Sequence, residues 1–265
     1  MNYKRLLGSA VAAAMAVTIL AGCGQKAADD QLAAIKEKGK IVFAMEGTWA
    51  PWTYHDANGD LVGFDTEVGK AIAEKLGVEA EFVEGEWDGL FAGLDSGRYD
   101  AIINGVEITE ERSEKYNFTT PYAYIKTALV VAEDNTEITS FEDLKGKTTA
   151  NSLDSTYQQL GESYGATCQN VDSLAETMEM VLSGRADATL NAEVSVYDYL
   201  REHPDAAINI VDLTEDASEV SVPLRKNEAS NSLQEAINKA IDELRESGEL
   251  STISVKYFGY DIASK

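Results

Sequence analysis

Asp100-Ala101-Ile102-Ile103-Asn104-Gly105-Val106-Glu107-Ile108-Thr109-Glu110-Glu111-Arg112 runs from a short apolar strand, through a glycine-bearing turn, into the acidic first turn of a helix. In open α/β sheets, ligands sit beyond the carboxyl ends of the strands, so a turn of this kind gathers polar groups onto a binding site. Arg112 suits such a place. Its planar guanidinium grips a carboxylate through two parallel N–H donors, a geometry that lysine cannot reproduce. Taken alone, an arginine at a helix start beside Glu107, Glu110 and Glu111 reads first as a solvated charge paired with its acidic neighbours.

Upstream, Ile41 to Met45 reads as a strand, and Trp52 to His55 with Leu61 to Phe64 flank the turn Asp56-Ala57-Asn58-Gly59, a hairpin signal. Val68, Ala71, Ile72 and Leu76 recur at helical spacing until Gly77. Ala80 to Val83 is a strand, Asp88 to Asp95 a helix, and Ala101 to Ile103 a third strand, which makes the order βαβαβ. Downstream, strands near Thr148 to Ala150 and Ala188 to Leu190 alternate with helices near Thr156 to Tyr164 and Val194 to Glu202. Ser173-Leu174-Ala175-Glu176 is a capping box for a helix that Gly184 closes. Leu233, Ile237, Ala240, Ile241 and Leu244 form one apolar helix stripe. The pattern is that of an α/β fold, and 265 residues suffice for two small cores.

Composition narrows the function. With 22 Lys plus Arg against 46 Asp plus Glu, the formal charge is -24, and a nucleic-acid backbone would be repelled. His55 and His203 lie far apart with no cysteine beside them, so no metal site is expected. Cys168 lies in a short strand-like alternation with no histidine near it in sequence, which makes it a packed thiol rather than a nucleophile. Gly63 to Lys70 misses the phosphate-loop spacing, Ala71 stands where a magnesium-holding hydroxyl belongs, and no GxGxxG follows a strand, so no cofactor is expected.

The chain opens on an address. Lys4 and Arg5 precede 16 apolar positions, Leu6 to Ala21, too few for a membrane span. Leu20-Ala21-Gly22-Cys23 resembles the lipobox of bacterial lipoproteins, in which the cysteine sulfur carries lipid. Residues 1–22 are thus expected to be a signal peptide and 23–30 a lipidated tether. Cleavage before Cys23 would leave 20 basic against 46 acidic side chains, a balance of -26.

Glu46-Gly47-Thr48-Trp49-Ala50-Pro51-Trp52, Gly59 to Asp65, Trp87-Asp88-Gly89-Leu90, Asn104 to Arg112 and Phe118-Thr119-Thr120-Pro121-Tyr122 resemble, in order, the polar amino-acid substrate-binding proteins of bacterial ABC transporters. The similarity spans about residues 35 to 260. It implies the two-lobed periplasmic-binding-protein fold (type II), each lobe a sheet flanked by helices, joined by two hinge strands. Lobe 1 is expected over 31–123 and 219–265, lobe 2 over 127–212, and the hinge near 123–127 and 212–219. By the same resemblance Trp49 and Trp87 sandwich the ligand side chain, and Arg112 holds its carboxylate. Asn104, Gly105 and Glu107 bond the head group, Asp154-Ser155-Thr156 form a helix-opening loop whose N–H groups suit a carboxylate, and Glu46 serves basic side chains. Asn191 belongs to the same set, and Thr149 to Tyr157 with Ala186 to Asn191 look most like the cystine-binding branch.

One position departs. Ala192 stands where the family places the aspartate that binds the ligand ammonium, while Glu107 fills a position that is usually Ser or Thr. Three readings stay open: Glu107 has taken over the charge, Glu193 supplies it, or the ligand is not an α-amino acid. The resemblance implies no enzyme, no cofactor and no nucleic acid. It implies a monomeric, lipid-anchored extracytoplasmic receptor at the cell membrane that delivers an amino acid, cystine among the candidates, to an ABC permease. The competing readings are a dehydratase-like enzyme with Glu107 as general acid, and a receptor for a different solute. Since a single acyl chain anchors only marginally, retention depends on the multiply acylated cysteine. Cys23→Ser should therefore move the protein from the membrane to the soluble fraction; continued membrane retention in fractionation would refute the lipobox.

Overall fold

The computed structural model describes residues 30–265. The expected signal peptide, the tether through residue 29 and Cys23 lie outside the described residues. Helix α1 (Gln31–Lys38) starts where the Asp30 carboxylate accepts the Ala33 N–H at 3.1 Å. Strand β1 (Lys40–Met45) follows, buried continuously from Phe43 to Met45. Such a run fits a parallel strand covered on both faces. Strands β2 (Thr48–Trp49), β3 (Thr53–His55) and β4 (Leu61–Val62) form a small antiparallel sheet, its β3–β4 turn held by the Asp56 carboxylate on the N–H groups of Asn58 and Asp60. Helix α2 (Phe64–Leu76) buries the expected stripe Val68, Ala71, Ile72 and Leu76, and Gly77 ends it at φ +73°, its N–H on the carbonyls of Ala73 and Glu74.

Strand β5 (Glu79–Glu84), helix α3 (Trp87–Asp95) and strand β6 (Ala101–Ile102) complete the first βαβαβ unit; β5 and β6 flank β1, all parallel. Helix α4 (Glu110–Lys115) and strands β7 (Tyr116–Phe118) and β8 (Ala123–Ile125) lead out of it.

The second unit comprises β9 (Thr127–Ala132), β10 (Thr148–Asn151), α5 (Thr156–Ser163), β11 (Thr167–Asn170), α6 (Leu174–Leu182), β12 (Ala188–Ala192), α7 (Glu193–Glu202) and β13 (Ile208–Leu213). Its sheet runs β11-β10-β12-β9-β13, with β10 parallel to both neighbours and β9 antiparallel to both of its own. Ser173 caps α6 by accepting the Glu176 N–H at 3.3 Å. The expected reciprocal bond is displaced: the Glu176 carboxylate reaches the N–H of Asp172, one residue further out, at 3.1 Å.

The chain then returns to the first unit. Strand β14 (Ser218–Val220) pairs antiparallel with β8, and β15 (Pro223–Arg225) with β7. Helix α8 (Asn231–Glu246) packs on α2 through Leu233, Ile237, Ala240, Ile241 and Leu244, the five stripe positions, all buried, and α9 (Glu249–Phe258) closes the layer. Full burial of each leucine or isoleucine contributes about 1.5–3 kcal/mol. The result is two α/β lobes joined by two chain crossings, as the resemblance implied.

A buried acid ties the first lobe together. Asp65, fully buried in the first turn of α2, accepts the Tyr122 hydroxyl at 2.8 Å and the Gly105 N–H at 2.6 Å. Desolvation pushes its carboxyl up to about 7 against those two bonds. A raised carboxyl binds its proton more tightly in the fold than in the unfolded chain, so its contribution to stability is full below about pH 4 and is lost as pH rises to about 7, on the order of 4 kcal/mol at most. The melting temperature should therefore fall between about pH 4 and about pH 7 in wild type, and fall less in Asp65→Asn. Parallel profiles for the two proteins would show that Asp65 is not protonated in the fold.

Candidate functional site

The carboxyl ends of the parallel strands of both lobes face one another across a cleft, and side chains just beyond them line a cavity with about 550 Å³ of empty space, mouth included. Lobe 1 contributes Glu46 after β1, Trp49 on β2, Trp87 at the start of α3, and Asn104, Gly105, Glu107 and Arg112 from the turn after β6. Lobe 2 contributes Asn151 and Ser152 after β10, Ser155, Thr156 and Tyr157 at the start of α5, Asp172, Ser173, Leu174 and Thr177 around the start of α6, and Asn191 on β12.

Arg112 is only 8% exposed. The Thr109 hydroxyl caps α4 by accepting the Arg112 N–H at 3.1 Å, which sets the arginine in the first turn facing the cleft. Its guanidinium donates to the Glu107 carbonyl at 3.1 Å and, across the cleft, to the Asp154 carbonyl at 3.2 Å, and lies over the rings of Trp87 and Phe91 at 5.2 and 5.6 Å. Burial lowers its pKa, and Glu107 opposes that shift most strongly. The Glu107 carboxylate, also buried, accepts the Thr156 hydroxyl from lobe 2. Two more bonds cross the cleft: Trp49 Nε1 donates to Asn191 Oδ1 at 3.2 Å, and Trp52 Nε1 to Ser195 Oγ at 3.0 Å.

Ten of the eleven residues expected at the site line the cavity, and three positions differ from expectation in what they offer. Asp154 is not part of the lining; it stands at φ +58°, gives the N–H expected for a carboxylate to Gln158 Oε1 at 2.8 Å, and turns its carbonyl toward Arg112. Asn104 lends its amide to Glu46 instead of a head group, accepting the Glu46 N–H at 2.8 Å and donating to its carboxyl at 2.6 Å. The Gly105 N–H is taken by Asp65. Gly105 itself is required by shape, because at φ +55° an added Cβ would come within 2.5 Å of the Trp49 ring. Desolvation pushes the Glu46 carboxyl up to about 7 despite the Asn104 bond, so near neutrality it exists both as a donor and as an anion.

The departure on β12 also resolves in part. Ala192 is fully buried and outside the lining, and its N–H goes to Asn191 Oδ1 at 2.9 Å. Glu193 lies outside the cavity too, half-buried, with its N–H on the Lys126 carbonyl and its carboxyl raised by desolvation, so it is no candidate for the ammonium. Cys168 is a partly buried thiol on β11, raised by burial, as a packed cysteine should be. Among the described residues no group of His, Cys, Asp or Glu is arranged to hold a metal ion, and no helix is long and apolar enough to cross a membrane.

Asn151, Tyr157, Asp172 and Thr177 were not singled out from sequence. The strand-end rule alone would have flagged Asn151, which ends β10, and Asp172, just past β11. Tyr157 and Thr177 sit in helix patterns that read as ordinary packing.

Residues 41–260 match the family of bacterial extracellular solute-binding proteins, family 3. The chain is 40% identical over 227 residues to a probable amino-acid ABC transporter-binding protein of Haemophilus influenzae, covering 85% of this chain and 88% of that one. It is 37% identical over 259 residues to the L-cystine-binding protein TcyA of Bacillus subtilis, covering 94% and 96%. Among solved structures, an ancestral arginine-binding protein bound to glutamine superposes with a TM-score of 0.78 at 37% identity, covering 83% of this chain and 98% of that one. The L-cystine solute receptor of Neisseria gonorrhoeae in its unliganded open conformation gives 0.60 at 38% identity, covering 88% and 99%.

Proposed function

The chain belongs to the bacterial extracellular solute-binding proteins of family 3, and from that membership we propose that it is a lipid-anchored, monomeric extracytoplasmic receptor that closes its lobes, 31–123 with 219–265 and 127–212, on a polar amino acid and hands it to an ABC permease. L-cystine is the first ligand to test, given the identity with TcyA along almost the whole chain. The observation that carries the reading is Arg112: a guanidinium buried at the seam with no carboxylate paired to it among the described residues, facing the start of α5. There the N–H groups of Thr156 and Tyr157 have no acceptor among the described residues, which suits a ligand carboxylate at a helix start. Trp49 and Trp87 supply aromatic faces for the rest of the ligand, and Glu107 supplies the anion for its ammonium. Glu46 meets the side chain.

All three tryptophans lie near the cleft, two in its lining and Trp52 bonded across it, so binding should change intrinsic fluorescence. It should also raise the melting temperature with ligand concentration, because only the folded state binds. A panel of L-cystine, L-arginine, L-glutamine and the other common amino acids that moves neither signal would sink the receptor reading, and recovery of the bound amino acid chemically changed would favour the enzyme. Arg112→Met should weaken binding by about 3–5 kcal/mol, as expected when one member of a buried charge pair is removed, or roughly two to four decades in Kd; a Kd within about threefold of wild type counts against its role. Glu107→Gln keeps the shape and removes the charge, and isothermal titration should record a loss of about 2–5 kcal/mol.

A further inference from the structure

We propose that the amine of the bound amino acid is seated on lobe 2 by the side-chain carbonyl of Asn151 and the hydroxyl of Tyr157, with Glu107 closing the seat from lobe 1; the inference rests on the receptor reading above.

Four buried side-chain polar atoms among the described residues have no hydrogen-bond partner, and two of them, Asn151 Oδ1 and Tyr157 OH, belong to residues lining the cavity between the lobes. Buried polar atoms without partners are few in folded proteins, roughly one in ten or fewer, so two in one cavity call for an occupant. Asn151 is 1% exposed, and its orientation is fixed: Nδ2 donates to the Leu190 carbonyl at 2.6 Å. Turning the amide over would press Oδ1 against that carbonyl oxygen, so Oδ1 is the atom left over, and it can only accept. Its occupant therefore brings an N–H or O–H, and a carboxylate would be repelled.

Tyr157 is 9% exposed, and the charges of Glu107 and Arg112 both act on its hydroxyl. Burial and Glu107 hold that hydroxyl well above its ordinary pKa, against the backbone N–H of Ala192, so it remains a neutral O–H with a lone pair able to accept from a donor. An ammonium has three N–H bonds to place, and the cavity offers three acceptors for them: Asn151 Oδ1, the Tyr157 oxygen and the Glu107 carboxylate. The opposite end of an α-amino acid then falls to Arg112 and the start of α5.

The test is titration calorimetry on wild type, Tyr157→Phe and Asn151→Ala. Each is titrated with the tightest of L-cystine, L-arginine and L-glutamine and with its counterpart lacking the α-amino group (dithiodipropionate, guanidinovalerate or glutaramate). Among the described residues only the Ala192 N–H bears on the Tyr157 hydroxyl as a donor, so Tyr157→Phe should change the melting temperature little while weakening the amino acid about tenfold or more. Asn151→Ala should do the same to affinity, and neither should change the Kd of the counterpart by more than about twofold. Equal losses for both ligands would show a structural role and overturn the seat, as would amino-acid binding unchanged in both variants. Wild type that binds none of the three, nor any other common amino acid of the panel above, overturns the receptor reading and the seat with it, whereas normal wild-type binding with indifferent variants overturns the seat alone.

Discussion

A guanidinium taken out of water must be compensated, and the cleft is organised around that need at Arg112. Stripping such an ion of its hydration costs several kcal/mol even after relaxation. The structure meets part of that cost with two backbone carbonyls, one from each lobe, and two ring faces. Carbonyls and rings carry no net charge, so the compensation is partial and the site keeps an unspent preference for an anion. Glu107 is close enough to oppose the depression of the Arg112 pKa, yet its carboxylate is tied to Thr156 and makes no ion pair with the guanidinium. Holding the two charges apart on one wall is what makes the cavity complementary to a zwitterion.

The turn that carries these groups is held from beneath. Asp65 accepts the Gly105 N–H and the Tyr122 hydroxyl, and Gly105 takes a left-handed conformation that leaves room for Trp49 to lie on it. Trp49 stacks on Trp52 with ring centroids 5.2 Å apart, and both indoles reach lobe 2. A buried carboxyl, a glycine without a side chain and two stacked rings thus form one continuous support from the core of α2 to the opposite lobe.

How much of this was legible depends on the range of the interaction. The α8 stripe, the stop at Gly77, the hairpin at Asp56 to Gly59 and the Thr109-to-Arg112 helix start are local, written in spacings of two to five residues, and could be read directly. The places of Arg112 and the two tryptophans in the cavity lining were legible because the motifs that carry them were. What Asn104 does was not: nothing in its neighbourhood says that its amide will be consumed by Glu46, 58 residues away. Asn151 fails for the same reason, since its fixed orientation depends on the Leu190 carbonyl of another strand. Asp154 was expected to offer its backbone N–H, whereas its left-handed backbone gives that N–H to Gln158 and turns the carbonyl to Arg112. That conformation is uncommon for a residue other than glycine, and pattern alone does not announce it.

Charge is divided unequally between the lobes, and this bears on closure. Glu46, Glu107 and Arg112 all belong to lobe 1, while the lining from lobe 2 is neutral apart from Asp172, which is exposed. With the lobes apart, water solvates the three charged groups; closing removes that water, and lobe 2 has to replace it. It reaches two of the three groups, the Asp154 carbonyl accepting from Arg112 and the Thr156 hydroxyl donating to Glu107, while Asn191 and Ser195 accept from the neutral indoles of Trp49 and Trp52. Each such bond nets only about 1 kcal/mol, or somewhat more where a charge takes part. Four such bonds, only two of them to charged groups, stand against a desolvation cost of several kcal/mol per ion. A ligand that contacts both walls adds its free energy to the closed form alone, and a differential affinity of about 5.5 kcal/mol is enough to move a two-state equilibrium from one extreme to the other. Neutral groups on one wall and charges on the other are thus an arrangement in which a ligand bridging both walls favours the closed form.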